Sequence, residues 1–169
     1  VREASGVDLC KRYLGVKAQH VLDPTLLLDR ADYERLVANE QEPPRDGSLF
    51  CYILDKTANK QQVIESAARD TALQPFYTMP ELEPTIANVT RDIEACVFPA
   101  VTAWLRSFMD AKMVVTDSFH GCVFSIIFNK PFWVIGNAER GMARFKSLLS
   151  QFGLEERMIS VQDIATTIW

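Results

Sequence analysis

With 169 residues, 48% of them hydrophobic and 24% charged, the chain suffices for one globular domain with an apolar core and has neither a disordered nor a fibrous composition. Its 18 basic and 22 acidic residues are mixed along the sequence for a net charge of -4, which leaves no basic face of the kind nucleic acid requires. The longest apolar stretch, Cys122 to Phe128, is far short of the roughly 20 residues that span a bilayer, and no signal-peptide pattern is visible.

Strands and helices are predicted in alternation. Val1-Arg2-Glu3 reads as the end of a strand, and without an initiator Met the sequence reads as a piece of a longer chain. "SGVDLCKRYLG" follows as a helix with Ser5 as N-cap, Asp8 three residues on, apolar Leu9, Cys10, Tyr13 and Leu14, and Gly15 as its stop. "AQHVLDPTLLL" reads as a short strand ending at Asp23-Pro24, with His20 structural, and Asp32 to Ala38 as a helix burying Tyr33, Leu36 and Val37. After the surface loop "NEQEPPRDG", the continuous apolar run "SLFCYILD" is of the kind buried on both faces of a parallel sheet. "NKQQVIESAARDTAL" is a helix with Asn59 and Gln62 as a cap pair and Val63, Ile64, Ala67 and Ala68 as its buried stripe.

A further strand is expected near Pro75 to Thr78, then a long loop with a turn of helix from Met79 to Phe98. "PAVTAWLRSFMDA" places Val101, Trp104, Leu105 and Phe108 on one helical face. Strand "KMVVT", helix "FHGCVFSIIFN", strand "FWVIG", helix "GMARFKSLLSQFG" with a Phe145, Leu149, Phe152 stripe, and a capped "SVQDIATTIW" complete the chain. Strands separated by helices imply parallel pairing through right-handed crossovers, hence an α/β domain with a doubly wound, mainly parallel sheet and helices on both faces. Ligands bind such sheets outside the carboxyl ends of the strands. Arg2 and Glu3, Asp23, Asp55 and Lys56, Thr116 to His120, and Gly136 to Arg140 all fall there.

The segment "TDSFHG", Thr116 to Gly121, holds one of only two histidines. Asp117 or Ser118 caps a helix starting at Phe119, which puts free backbone N–H groups and the positive end of the helix dipole beside His120. Gly121 permits close approach of a ligand or of neighbouring backbone. On residues alone, the favoured reading is the plainer one: simple capping by Asp117 and Ser118, packing by Gly121 and a satisfied His120. Cys122 lies on the apolar face of that helix and reads as a small buried hydrophobe. The four cysteines lie far apart without a CxxC pair, which argues against a zinc site and a disulfide framework and points to a reducing cytoplasm.

"VREASG", "VLDPTLLL", "AWLRSFMDAKMVVTDSFHGCVFSIIFNKPF" and "ERGMARFKSLLSQFGL" together resemble the C-terminal half of the polysaccharide pyruvyl transferase family. The resemblance implies a single Rossmann-like domain over residues 1–169, the second of two that face across a cleft as in GT-B glycosyltransferases. It also implies transfer of the enolpyruvyl part of phosphoenolpyruvate to a sugar hydroxyl of a cell-surface glycan, forming a ketal. The partners implied are phosphoenolpyruvate, a saccharide acceptor and an N-terminal domain, with no metal and no cofactor beyond the donor substrate. The place implied is the cytoplasm or the inner face of the membrane.

His120 is then the candidate general acid or base, since histidine titrates near neutrality, with Asp117 to orient it or to bind an acceptor hydroxyl. Arg2 is the candidate for the donor's carboxylate or phosphate, and Glu3 shares its motif. Ser118 and the N–H groups of Phe119, His120 and Gly121 complete an anion cradle, and Arg140 and Arg144, flanking Gly141, either belong to a site-facing loop or are a solvated cation pair. Lys56 faces the same cleft or is a plain surface lysine. Two other classes compete. A glycosyltransferase would place a nucleotide sugar here with Glu139 on its ribose, but no glycine-rich phosphate loop is present. A degenerate, non-catalytic relative would bind without turnover.

Overall fold

The computed structural model describes residues 1–38, 48–136 and 141–160. Five strands form one all-parallel sheet: β1 (Leu49–Tyr52), β2 (Pro75–Phe76), β3 (Met113–Thr116), β4 (Phe132–Ile135) and β5 (Met158–Ile159). Their order is β2-β1-β3-β4-β5, with Leu49 opposite Met113 and Val114 opposite Phe132. The chain therefore winds from β1 to β2 in one direction and from β3 to β5 in the other. The reversal puts the topological switch point between β1 and β3, at Tyr52 and Thr116, where a crevice opens in such folds.

Seven α-helices are described: α1 (Ala4–Leu9), α2 (Arg30–Val37), α3 (Ala58–Thr71), α4 (Ile86–Arg91), α5 (Val101–Asp110), α6 (Phe119–Ile127) and α7 (Met142–Phe152). Because right-handed crossovers tie winding direction to sheet face, α3 packs on one face and, among the described helices, α5, α6 and α7 share the other. The core divides accordingly. Val63, Ile64 and Ala67 of α3 pack on Leu49, Cys51, Met113 and Val115. Phe108, Phe119, Phe124, Phe145 and Leu149 pack on Phe50, Val114 and Val134, and α2 adds Tyr33 and Val37 to that side.

Several local expectations are corrected. Glu3, not Ser5, stands at the N-cap of α1 and makes no side-chain cap, and the helix runs on as a π turn, Cys10–Leu14, before Gly15 ends it at φ 67°. Neither Val1–Glu3 nor the segment before Asp23 is a strand of the sheet; they meet through two backbone hydrogen bonds, the Val1 amine to the Gln19 carbonyl at 2.8 Å and the Val21 N–H to the Val1 carbonyl at 2.9 Å. Asp23 instead caps a 3-10 turn, Pro24–Leu27, and Pro24 has no N–H to extend a ladder. Thr57 rather than Asn59 caps α3. Leu36, Val101 and Phe152 are exposed, because only the innermost part of each predicted stripe meets the sheet. The long Met79–Phe98 loop does hold α4 and a short 3-10 turn, Glu94–Cys96. The predicted final element, "SVQDIATTIW", lies outside the described residues but for Ser160.

Candidate functional site

The first turns of α6 and α7 both begin at the carboxyl edge of the sheet, after β3 and β4. Ser118 caps α6 with its hydroxyl accepting from the Gly121 N–H at 3.3 Å. The Ser118 N–H in turn donates to the Thr116 hydroxyl at 3.0 Å, and that hydroxyl donates to the Tyr52 carbonyl at 2.7 Å, locking the β3–α6 turn to β1. The first N–H groups of a helix lack intrahelical partners. Here Ser118 takes up that of Gly121 and leaves those of Phe119 and His120 at the helix end. A Cβ on Gly121 would overlap the Thr116 hydroxyl, so this glycine serves helix-on-sheet packing.

Phe119 is buried, and its ring is the platform on which the site is assembled. The Arg2 guanidinium lies 5.0 Å from the ring centroid and the Arg144 guanidinium 5.8 Å from it. The exposed His120 ring stands edge-on to Phe119 with centroids 5.4 Å apart. Arg144, in the first turn of α7, also covers Phe145 at 5.6 Å, and its Nε is shielded from solvent without a hydrogen-bond partner among the described residues. Arg2 is brought in by the N-terminal segment, which docks on α7 through the Ala4 N–H and the Ser147 hydroxyl at 3.0 Å.

Arg2 donates from Nη1 to Asp23 at 2.5 Å. Burial opposes the Asp23 charge, but hydrogen bonds from Thr25 and Arg2 and the Arg2 charge outweigh it and hold the carboxyl below its ordinary range. Asp23 thus orients Arg2 over Phe119. Glu3, next in sequence to Arg2, is the N-cap residue of α1.

Asp117 is placed otherwise than a partner of His120. It is fully buried at the switch point, where Oδ1 accepts from the Leu54 N–H at 2.7 Å and Oδ2 from the Asp55 N–H at 3.1 Å and from Lys60 Nζ at 2.6 Å. Its oxygens face the β1–α3 loop. Lys60, which the sequence reading passed over, is itself buried in the first turn of α3. A lysine in an amphipathic helix gives no sign of burial; only its place one turn after β1 hinted at it. Lys56 points away from this pair, its Nζ bonded to the carbonyls of Pro80 at 3.1 Å and Glu81 at 3.4 Å. Arg140 and Glu139 lie outside the described residues. Cys122 is buried in the core behind α6, with its thiol pushed up to about 12 by desolvation.

The structure therefore brings together Arg2, Ser118, Phe119, His120 and Arg144, and sets Asp117 behind them. Two guanidiniums, two helix-end N–H groups and an imidazole on one aromatic platform suit a small ligand with more than one anionic group. Among the described residues no His, Cys, Asp or Glu cluster is arranged to hold a metal ion, and no helix is long and apolar enough to cross a membrane. No curated protein and no solved structure matches the chain. The family model for polysaccharide pyruvyl transferase matches residues 1–139, more than half of the sequence, and the chain belongs to that family.

Proposed function

We propose that the protein transfers the pyruvyl group of phosphoenolpyruvate to hydroxyls of a cell-surface polysaccharide or its precursor, and that the α6 edge is the donor-binding half of the site. The observation that carries this reading is the pair of guanidiniums, Arg2 and Arg144, stacked on Phe119 beside the exposed His120. The donor has two anionic groups, a carboxylate and a phosphate, and each is matched by a planar guanidinium. Arg144 carries a shielded, unpartnered Nε, and Arg2 keeps donors beyond the one that Asp23 accepts.

In the reaction, a proton is added to the methylene carbon of phosphoenolpyruvate, and a sugar hydroxyl bonds to the adjacent carbon. A second hydroxyl then displaces phosphate from that carbon, closing the ketal and releasing its own proton. His120 is the group placed to deliver the first proton and to receive one from an attacking hydroxyl. The N–H groups of Phe119 and His120 and the dipole of α6 stabilise negative charge on the leaving phosphate. Four free cysteines agree with a cytoplasmic setting, and the whole enzyme closes its cleft with a second Rossmann-like domain.

Calorimetric titration tests the donor. Phosphoenolpyruvate is expected to bind saturably to the wild type and about tenfold or more weakly to Arg144→Gln, while UDP-glucose gives no heat of binding. Binding of UDP-glucose without phosphoenolpyruvate would replace this reading by a glycosyltransferase.

A further inference from the structure

A second cleft, of about 920 Å³, opens at the carboxyl ends of β1 and β2, next to the switch point. Lys56 reaches it from the loop after β1, Lys60 and Gln61 from the first turn of α3, Tyr77 and Thr78 from the residues after β2, and Glu81 from the loop beyond. Its volume is that of a site for a ligand of one to three sugar rings rather than for a single small anion.

One lining cation is neutralised in place, since Lys60 pairs with Asp117 at 2.6 Å, with Asp55 at 3.8 Å. The Lys56 ammonium donates to the Pro80 and Glu81 carbonyls, and Glu81 lines the same cleft. A diphosphate is held best by several uncompensated cations, and of the two lining lysines at most Lys56 stands outside a carboxylate pair.

What it does offer is neutral hydrogen-bonding chemistry around an aromatic ring. The Gln61 amide donates to Glu65 at 3.2 Å and is hydrogen-bonded to Tyr77, keeping acceptor capacity toward the cleft, and Glu81 has acceptors only. The Thr78 hydroxyl is shielded from solvent and has no hydrogen-bond partner among the described residues. Tyr77 remains 43% exposed despite lying at a cleft wall. A pyranose has complementary features, with hydroxyls that both donate and accept and an apolar C–H face that stacks on an aromatic ring.

We infer that this cleft is a saccharide-binding subsite, in which the acceptor glycan docks beside the donor-binding edge of α6. Its assignment to the acceptor rests on the proposed transferase reading; the binding of sugar does not. Lys60 links the two places, since it lines the cleft and holds Asp117, the residue before the α6 cap.

Saturation-transfer NMR tests the inference, with methyl glycosides of glucose, galactose, mannose and N-acetylglucosamine as probes and UDP as the polyanion control. At least one glycoside is expected to bind saturably and about tenfold more weakly to both Tyr77→Ala and Gln61→Ala, the loss of one good contact each. Gln61 is exposed on α3, so its variant is expected to keep the wild-type melting temperature. Absence of binding by all four glycosides, binding unchanged in both variants, or displacement of the glycoside by UDP would overturn it. Phosphoenolpyruvate titrated in parallel separates the two readings: glycoside binding without it leaves the cleft standing and removes the transferase, and the reverse leaves only the donor site.

Discussion

Lys60 Nζ lies 2.6 Å from Asp117 Oδ2, and this buried pair joins the first turn of α3 to the turn that launches α6. The same carboxylate accepts the Leu54 and Asp55 N–H groups, so one side chain fixes both loops at the switch point. Removing Asp117 leaves a buried ammonium with only Asp55 at 3.8 Å and takes the acceptor from two part-buried N–H groups. Asp117→Ala and Lys60→Met are each expected to lower stability by about 3–5 kcal/mol. The double variant should lose less than the sum, a coupling that urea unfolding measures directly.

His120 behaves oppositely. It is exposed at the helix end with its ring edge-on to Phe119, and the proposed reading gives it a part in the chemistry rather than in the fold. His120→Ala should keep its stability within about 0.5 kcal/mol while transferase turnover falls about 10²–10⁴-fold. Thermal unfolding and phosphate release measured side by side check both halves.

In the proposed reading the Arg2–Asp23 bridge serves both donor binding and stability. Arg2→Gln leaves a buried carboxylate with only its Thr25 bonds and is expected to cost about 1–3 kcal/mol as well as donor affinity. The pH dependence has a definite sign. The folded Asp23 carboxyl is held below its unfolded range, so its contribution is present above the unfolded value and disappears as pH falls through the folded one. The gap in unfolding free energy between wild type and Asp23→Asn should therefore be full at neutral pH and close in acid.

The thiols of Cys51 and Cys122 are each pushed up to about 12 by burial, which denies them thiolate at neutral pH. Cys10, part-exposed on the π turn, is expected to be the thiol that iodoacetamide modifies first. Peptide mapping should find Cys51 and Cys122 unmodified until the protein is unfolded.

The sheet was legible because its strands are continuous apolar runs between amphipathic helices, as in "SLFCYILD" and "KMVVT". The local pattern narrowed the α6 cap to Asp117 or Ser118, and the structure assigns it to Ser118, whose hydroxyl lies three residues before the N–H it accepts. The roles of Asp117 and Lys60 were not legible, since which loop a carboxylate faces depends on the order of β1 and β3 in the sheet. Nor does any local pattern reveal that Arg2 and Arg144, far apart in sequence, share the ring of Phe119. Val1–Glu3 misled for a related reason, its extended backbone being paired with the Gln19–Val21 segment rather than with the sheet.

The most direct test of the central claim is an amide NMR titration of the chain with phosphoenolpyruvate. The account predicts saturable shifts at Arg2, at Phe119 and His120, and around Arg144, all weakened in His120→Ala or Arg144→Gln. Saturable shifts confined to the Lys56–Gln61 region, or none at the α6 edge at any concentration, would contradict it.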